Sequence, residues 1–283
     1  GEVMSFFVVL VILFAAFLHA FWNYLVRGTE DKVLGMAAVV FGHAPLALIG
    51  LYWVGLPSIS ALPYIIASTL LHVGYQSFLM NSYKYGTLTQ IYPIARGSAP
   101  LIIALITIVL SADILRLPQI LGIFIISFGI LAHGVLQYRT ENFNLKGLVL
   151  AIVTGGFIAA YSVVDGAGTR IIQNSVSYYG ALTIGNCFLF SIYLKIFHSG
   201  VISKIVKEAK FTFFIGGGTS YLAYVLVLWS CLHLPIAVVS SLRETSVLFA
   251  LLIGVIFLRE KITLQKVFVI SVILIGIMVL RLA

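Results

Sequence analysis

Apolar stretches of about 20 residues follow one another along almost the whole chain, separated by short polar connections. A stretch of this length spans a bilayer as an α-helix, because roughly 30 Å of hydrocarbon needs about 20 helical residues. Of the 283 residues, 61% are hydrophobic and only 9% are charged, which is too little charge to cover a soluble surface. We therefore expect an all-α integral membrane protein without a separate soluble domain.

Polar connections and Gly or Pro residues divide the chain into ten predicted transmembrane helices. The predicted spans are 4–26, 33–54, 62–83, 88–110, 117–138, 145–167, 175–197, 211–232, 236–258 and 263–282. The longest polar connection, 198–210, is expected to contain an amphipathic turn. The first stretch is too long for a signal-peptide core and lacks a cleavage site, so we expect it to remain as a span.

Two segments that lie 147 residues apart resemble each other. Arg96-Gly-Ser-Ala-Pro-Leu101 aligns with Arg243-Glu-Thr-Ser-Val-Leu248, and Asp113 then aligns with Glu260. The alignment predicts two repeats of five spans each, 1–142 and 143–283, with chance similarity between apolar helices as the alternative. An odd number of spans turns the second repeat upside down in the membrane, an arrangement typical of secondary transporters that bind substrate near the midplane.

The ends of the fourth and ninth spans resemble the EamA-like branch of the drug/metabolite transporter superfamily. The residues that carry the resemblance are Leu252-Ile-Gly-Val-Ile-Phe-Leu-Arg-Glu-Lys-Ile-Thr263 and the glycine-bearing span that follows. The family repeat commonly closes in Gly-Glu, whereas the first copy here reads Ser111-Ala-Asp113, which keeps the acid and loses the glycine. The resemblance implies a ten-helix transporter fold and is nearly silent on substrate.

A narrower resemblance concerns the first and sixth spans. Leu18-His-Ala-Phe-Trp-Asn23 and Ala160-Tyr-Ser-Val-Val-Asp-Gly166 are similar to an EamA-type subgroup associated with phosphonate utilisation. Triose-phosphate translocators, distant relatives in the same superfamily, use basic residues on the fourth and ninth spans. The likeness to the translocators implies, as an expectation, that Arg96 and Arg243 contact the substrate.

Two arginines lie at bilayer depth. Arg96 is about nine residues into the fourth span and Arg243 about eight into the ninth, which is roughly 12–13 Å from a helix end. A charge at this depth costs several kcal/mol and needs a partner or a function. A pair of forked guanidinium groups suits a carboxylate or phosphate, whereas the structural alternative is neutralisation by Glu244 and Asp165.

Other polar and aromatic side chains line up on faces of the predicted spans. Pairs such as His72 and Gln76, or Tyr161 and Asp165, are one helical turn apart. For any single one of these residues an interhelical hydrogen bond is the favoured interpretation, but polar faces on four spans together favour a shared aqueous pocket. Aromatic rings in that pocket can stack on an organic substrate. The complete predicted set of substrate-binding residues is Arg96, Arg243, Glu244, His19, Trp22, Asn23, Gln76, Tyr92, Tyr161, Asp165 and Asn186.

Catalytic and metal-binding patterns are missing from the sequence. It contains no Gly-x-Ser-x-Gly or His-Glu-x-x-His motif, and only Asp165 and Glu244 among the acids fall inside spans. We therefore expect no enzyme activity, no catalytic residue, no metal and no cofactor. The expected partners are a small-molecule substrate and the lipid bilayer, without nucleic acid, in a monomer or homodimer.

The sequence thus predicts an alternating-access carrier for a small polar organic metabolite, anionic or zwitterionic, in a bacterial cytoplasmic membrane. The alternative is an exporter of neutral amphipathic metabolites such as amino acids, in which both arginines serve structure. Outside Arg96 and Arg243, 12 of the 15 Lys and Arg residues lie beside connections that follow odd-numbered spans. The positive-inside rule then places both termini outside the cytoplasm.

Overall fold

A computed structural model describes residues 6–27, 30–82, 84–85, 88–110, 112–140, 144–257, 259 and 261–281; for 26–27, 88–90 and 137–140 it describes the backbone only. These residues form helices and no strand, so the predicted all-α membrane class is confirmed. Residues 1–5, where the first span was expected to begin, and Glu260, the repeat partner of Asp113, lie outside this set.

The helices before residue 143 are α1 (Phe6–Arg27), α2 (Lys32–Gly42), α3 (Ala44–Val54), α4 (Leu62–Ser82), α5 (Leu88–Val109) and α6 (Leu117–Thr140). The later helices are α7 (Leu145–Ile172), α8 (Ser175–Phe197), α9 (Val201–Glu208), α10 (Gly217–Ser230), α11 (Ile236–Arg243), α12 (Ser246–Phe257) and α13 (Leu264–Arg281). A 3₁₀ turn, Ile59–Ala61, precedes α4, and a π-helical turn, Thr212–Gly216, precedes α10.

Side-chain caps fix the start of three helices. Asp31, Asn144 and Asn174 stand just before α2, α7 and α8, and each side chain accepts hydrogen bonds from backbone N–H groups of the first turn. These N–H groups have no partner within their own helix, so the cap removes the cost of leaving them unpaired.

Nine helices or helix pairs among the described residues are long and apolar enough to cross a bilayer. The helix α4, which corresponds to the third predicted span, is not among them although it is 21 residues long. Its lower apolarity comes from polar side chains that face the protein interior, among them Ser68, His72 and Gln76. The described residues thus contain nine helices or helix pairs that are long and apolar enough to span, and the count of ten stays a prediction.

Two predicted spans are interrupted near their middle. The second is divided into α2 and α3 at His43, two residues before Pro45, and the ninth into α11 and α12 at Glu244 and Thr245. The fourth span, in contrast, is one continuous helix, α5, that contains both Pro93 and Pro100. The predicted amphipathic turn is the helix α9, which buries Val201 and Ile205.

Helices from the two halves of the chain pack directly on one another. The helix α7 packs against α4 and α5, and α1 packs against α10, α11 and α12. The pair α6 and α13 and the pair α3 and α8 join the halves further. Between α2 and α10 the backbones touch: a Cβ on Gly217 would lie 2.5 Å from the Cα of Gly42, so only glycine permits this approach.

Candidate functional site

A cavity lies between helices of both halves, with about 680 Å³ of space not filled by atoms, including its opening. Its walls come from α1, α2, α4, α5, α7, α8, α10 and α11 and from His43 between α2 and α3. Seven of the predicted site residues line it: His19, Trp22, Gln76, Arg96, Tyr161, Asn186 and Arg243.

The two arginines share one carboxylate. The Nε of Arg96 donates to Oε2 of Glu244 at 2.7 Å, and the Nε of Arg243 donates to Oε1 at 3.3 Å. All three side chains are almost fully buried, with exposed fractions of 1%, 3% and 0% for Arg96, Arg243 and Glu244. Two guanidinium groups against one carboxylate leave the cluster with a net charge of one positive unit.

Each guanidinium group also keeps an unused donor. The Nη2 atoms of Arg96 and Arg243 are buried and have no hydrogen-bond partner among the described residues. A buried N–H of a charged group without a partner is costly. Since both arginines line the cavity, an acceptor group of a bound molecule can satisfy these donors.

This cluster lies at the interruption of the ninth span between α11 and α12. Arg243 is the last residue of α11, Glu244 follows in the turn, and α12 begins at Ser246. The N–H groups of Thr245 and Val247 bond to carbonyls only three residues back, so the regular helical ladder is interrupted here. Irregular backbone at membrane depth is tolerated where it is enclosed by protein or lines a cavity.

Aromatic rings flank both arginines. The Cζ of Arg96 lies 5.7 Å from the ring centroid of Tyr92, and the Cζ of Arg243 lies 5.9 Å from that of Tyr224. Cation–π contacts of this kind stabilise a desolvated guanidinium without neutralising it. The positive charge of the cluster is therefore held in place and remains available to the cavity.

Three predicted residues, His19, Trp22 and Asn23, form a network on α1. The indole N–H of Trp22 donates to Nδ1 of His19 at 3.3 Å, so in neutral His19 the hydrogen is on Nε2, which lies 2.8 Å from the hydroxyl of Tyr92. Asn23 donates to the same hydroxyl oxygen at 3.3 Å. Asn23 and Tyr92 thus lie behind the cavity wall and orient the residues that form it.

Asp165 lies behind the wall as well. Its Oδ1 accepts from the hydroxyl of Tyr178 at 2.9 Å, and its Oδ2 accepts from Tyr224 at 2.6 Å. The side chain is fully buried and does not line the cavity. Glu244 is the fourth predicted residue that is not in the wall, because its carboxylate is enclosed by the two arginines.

Sequence reasoning missed several cavity residues. His43 was given no role, yet it lines the cavity next to Tyr179, whose hydroxyl lies 3.3 Å from its Nδ1. Tyr224 lines the cavity and was not singled out; nothing in its sequence surroundings distinguishes it from the other tyrosines. His72 was noted only as part of a polar face, and its ring stacks on Tyr161 with 4.1 Å between centroids.

A clamp of hydrogen bonds joins helix ends at the face where α5, α7 and α10 end (the Asp113 face). Arg170 donates to Oδ1 of Asp113 at 2.9 Å and to the carbonyls of Cys231 and Leu234 at 2.8 and 3.0 Å. The Oδ2 of Asp113 accepts from the N–H of Ile236 at 2.8 Å. The end of α7 and the turn after α5 are thereby fastened to the connection between α10 and α11.

A second, smaller cavity lies between the clamp and the first one. Cys231 and Ile236, whose backbones the clamp holds, are in its walls, and Tyr224, Val227 and Arg243 line both cavities. The first cavity extends from the midplane toward the other face (the Lys146 face), because Trp22 and Gln76 lie near the ends of α1 and α4. The two cavities therefore adjoin each other at Arg243.

The Lys146 face has an exposed contact at the start of α7. The Nζ of Lys146 lies 4.4 Å from the ring centroid of Tyr85, in the connection between α4 and α5. Hydrogen bonding to this ammonium group and its charge lower the pKa of the Tyr85 hydroxyl.

Comparison with known proteins supports the fold. Residues 145–282 match the profile of the EamA-like transporter family, and no curated protein matches the chain. Among the 25 matching chains of solved structures, one described only as "Crystal structure of protein" is similar with a TM-score of 0.78 and 15% identity, over 97% of each chain. At this identity the likeness shows the fold alone.

Proposed function

We propose that this protein, whose residues 145–282 belong to the EamA-like transporter family, is an alternating-access carrier for a small organic metabolite with an anionic group. The group is a carboxylate, a phosphate or a phosphonate. It binds near the midplane, between Arg96 and Arg243, and the remainder of the molecule occupies the cavity toward the Lys146 face.

The observation that carries this proposal is the state of the arginine cluster. Arg96 and Arg243 use their Nε atoms on Glu244 and keep one buried Nη2 each without a partner. An anion that accepts from both Nη2 atoms neutralises the remaining charge and satisfies both donors. Charge-assisted hydrogen bonds of this kind contribute about 1.5–3 kcal/mol each.

Other cavity residues suggest what the rest of the substrate looks like. The side-chain oxygens of Gln76 and Asn186 are buried without a partner in the described part of the chain, and both residues line the cavity. They suit hydroxyl or amino groups of a polar metabolite. The rings of Trp22 and Tyr161 offer apolar surface to its carbon skeleton.

Alternating access follows from the proposed inverted repeats, 1–142 and 143–283. Exchanging the two repeats pairs α7 with α1, α4 with α10, and α5 with α11 and α12. The packing of α7 on α4 and α5 then corresponds to the packing of α1 on α10 and α12, which supports the symmetry. In this arrangement the clamp of Arg170 and Asp113 closes the Asp113 face while the site is reached from the Lys146 face. Release to the other side requires that the clamp opens.

We place the carrier in a bacterial cytoplasmic membrane, as a monomer or homodimer. The Lys146 face is the cytoplasmic one, because most Lys and Arg outside the site lie beside connections at that face. The chain termini then lie on the opposite side, and the closed clamp separates the site from the exterior.

A neutral amphipathic metabolite is the second candidate substrate. The observation that favours it is Glu244, which already accepts a hydrogen bond from both arginines. In that case the cluster is structural, and the aromatic rings of the cavity provide most of the binding energy.

A thermal-shift screen of the purified protein separates the two candidates, because a ligand that binds only the folded state raises the melting temperature. The panel contains organic phosphates, phosphonates, carboxylates, neutral amino compounds and amines. We expect at least one anionic class to stabilise the wild type and to lose its effect in Arg243→Gln. The matched control is Lys195→Gln, an exposed cation at the end of α8. Stabilisation by neutral compounds alone contradicts the anionic substrate.

A further inference from the structure

A second polar cluster lies beside the arginine site and has no role in the function proposed above. It consists of Asp165 on α7 and His72 on α4, with the hydroxyl groups of Tyr178 and Tyr224. Asp165 is fully buried, and His72, which is 8% exposed, lines the cavity. His72 and Tyr224 therefore both lie between Asp165 and the cavity.

The hydrogen bonds of His72 determine where its first proton is. The Nδ1 atom lies 2.9 Å from the carbonyl oxygen of Ser68. A carbonyl only accepts, so Nδ1 carries a hydrogen. In neutral His72 the other nitrogen, Nε2, is then an acceptor, and it lies 3.9 Å from Oδ2 of Asp165.

When Asp165 is ionised and His72 is neutral, the pair carries one negative charge and no hydrogen lies between Oδ2 and Nε2. Two acceptors then face each other, and a negative charge is buried with no cation within ion-pair distance among the described residues. One added proton, on either Nε2 or the carboxyl group, makes the pair neutral overall and removes the cost of the buried charge. We propose that Asp165 and His72 together bind one proton and that this proton is coupled to the alternation of the carrier.

Groups on several helices face this pair. Tyr178 and Tyr224 donate hydrogen bonds to Asp165, the hydroxyl of Ser68 lies 3.1 Å from Nδ1 of His72, and the others act through ring contacts or at longer range. The groups are Ser68 from α4, His43 beside α2, Tyr161 from α7, Tyr178 and Tyr179 from α8, Tyr224 from α10, Cys231 after α10 and Arg243 from α11.

Tyr224 connects the proton to the substrate site. Its hydroxyl bonds to Asp165 at 2.6 Å, its ring lies 5.9 Å from the Cζ of Arg243, and it lines both cavities. A proton on the pair weakens Oδ2 as an acceptor for the Tyr224 hydroxyl. The tyrosine is then freer to move between the two cavities, which changes the path past Arg243.

The proton site is tested directly by infrared spectroscopy on the full-length protein in lipid, titrated with pH. We expect a carboxylic-acid C=O band that titrates in the wild type, vanishes in Asp165→Asn and persists in Glu208→Gln, an exposed acid on α9. In His72→Gln the band remains and its midpoint shifts. If Asp165→Asn does not fold, Tyr224→Phe keeps the carboxyl group, and the band must then change in frequency. A titrating band that none of the three site variants alters, or the absence of both this band and a titrating imidazolium ring band of His72, overturns the site.

Coupling between the proton and access to the second cavity is measured at Cys231, which lies in the wall of that cavity. The experiment uses a Cys187→Ala background. The rate of Cys231 modification by a membrane-impermeant thiol reagent is measured across pH and divided by the rate in Asp165→Asn. We expect this ratio to change with pH, because only the wild-type background binds the proton. A constant ratio contradicts the coupling. Coupling rests on the proposed carrier function, whereas the infrared result does not, so the two can fail separately.

Discussion

The Nε of Arg96 donates to Oε2 of Glu244 at 2.7 Å although the two residues are 148 positions apart in the chain. This bond joins α5, in the first half, to the break between α11 and α12 in the second. Arg243 binds the other carboxylate oxygen at 3.3 Å. One acid thus holds two cations at the contact between the halves, which is where a carrier must bind its substrate.

Glu244 is predicted to be the most important member of this cluster for stability. Glu244→Gln leaves two buried guanidinium groups without a counter-charge, and removal of one partner from a buried ion pair costs about 3–5 kcal/mol. We expect a marked fall in melting temperature in detergent. Arg96→Gln combined with Glu244→Gln should recover part of that loss, since a single cation remains. Equal melting temperatures of Glu244→Gln and the exposed-acid control Glu208→Gln contradict the prediction.

The clamp at the Asp113 face is predicted to control access to the second cavity. Arg170→Gln removes its bonds to Asp113 and to two carbonyls, but the side chain is 29% exposed, so screening reduces their contribution. We expect the open population, measured as the rate of Cys231 modification in a Cys187→Ala background, to rise roughly tenfold, which corresponds to about 1.4 kcal/mol. Lys195→Gln serves as the charge control. A rate of Cys231 modification in Arg170→Gln no higher than in this control argues against a gate.

Close contact between α2 and α10 is predicted to depend on Gly42. A Cβ there would overlap the backbone carbonyl oxygen of Phe213, so Gly42→Ala forces the backbones apart at a cost of about 1–3 kcal/mol. The matched control is Gly156→Ala on α7, where a Cβ meets nothing within 4 Å. The measurement is the melting temperature of both variants. If Gly156→Ala lowers the melting temperature as much as Gly42→Ala does, the loss in Gly42→Ala does not come from the close backbone contact.

Much of this architecture was predictable from the sequence because bilayer spans have a strong compositional signal. The depth of Arg96 and Arg243 identified the cluster, since charges in apolar helices need a reason. The interruption at Glu244 carries no Gly or Pro signal and becomes apparent only when Arg96 approaches from another helix. Tyr224 could not be distinguished from other tyrosines, because its partners Asp165 and Arg243 are brought to it by tertiary packing.

The helix α4 corresponds to a predicted span whose apolar signal in the sequence is weak because it contributes polar residues to the cavity. Its polar residues reduce the apolar signal that identifies a span, and the same residues, His72 and Gln76, form part of the cavity wall. Short-range hydropathy cannot separate a polar face that lines a cavity from a segment outside the membrane, because the distinction depends on which neighbours cover that face.

The most direct test of the account is the affinity of Arg243→Gln for an anion that stabilises the wild type in the thermal-shift screen, measured together with its melting temperature. Loss of Arg243 leaves Arg96 paired with Glu244 at 2.7 Å, so the melting temperature should change little. Affinity should fall by about one to two orders of magnitude, and Arg243→Lys should restore little of it because a point charge lacks the guanidinium fork. Unchanged affinity with a collapsed melting temperature would contradict the account and favour a structural cluster in a carrier of neutral metabolites.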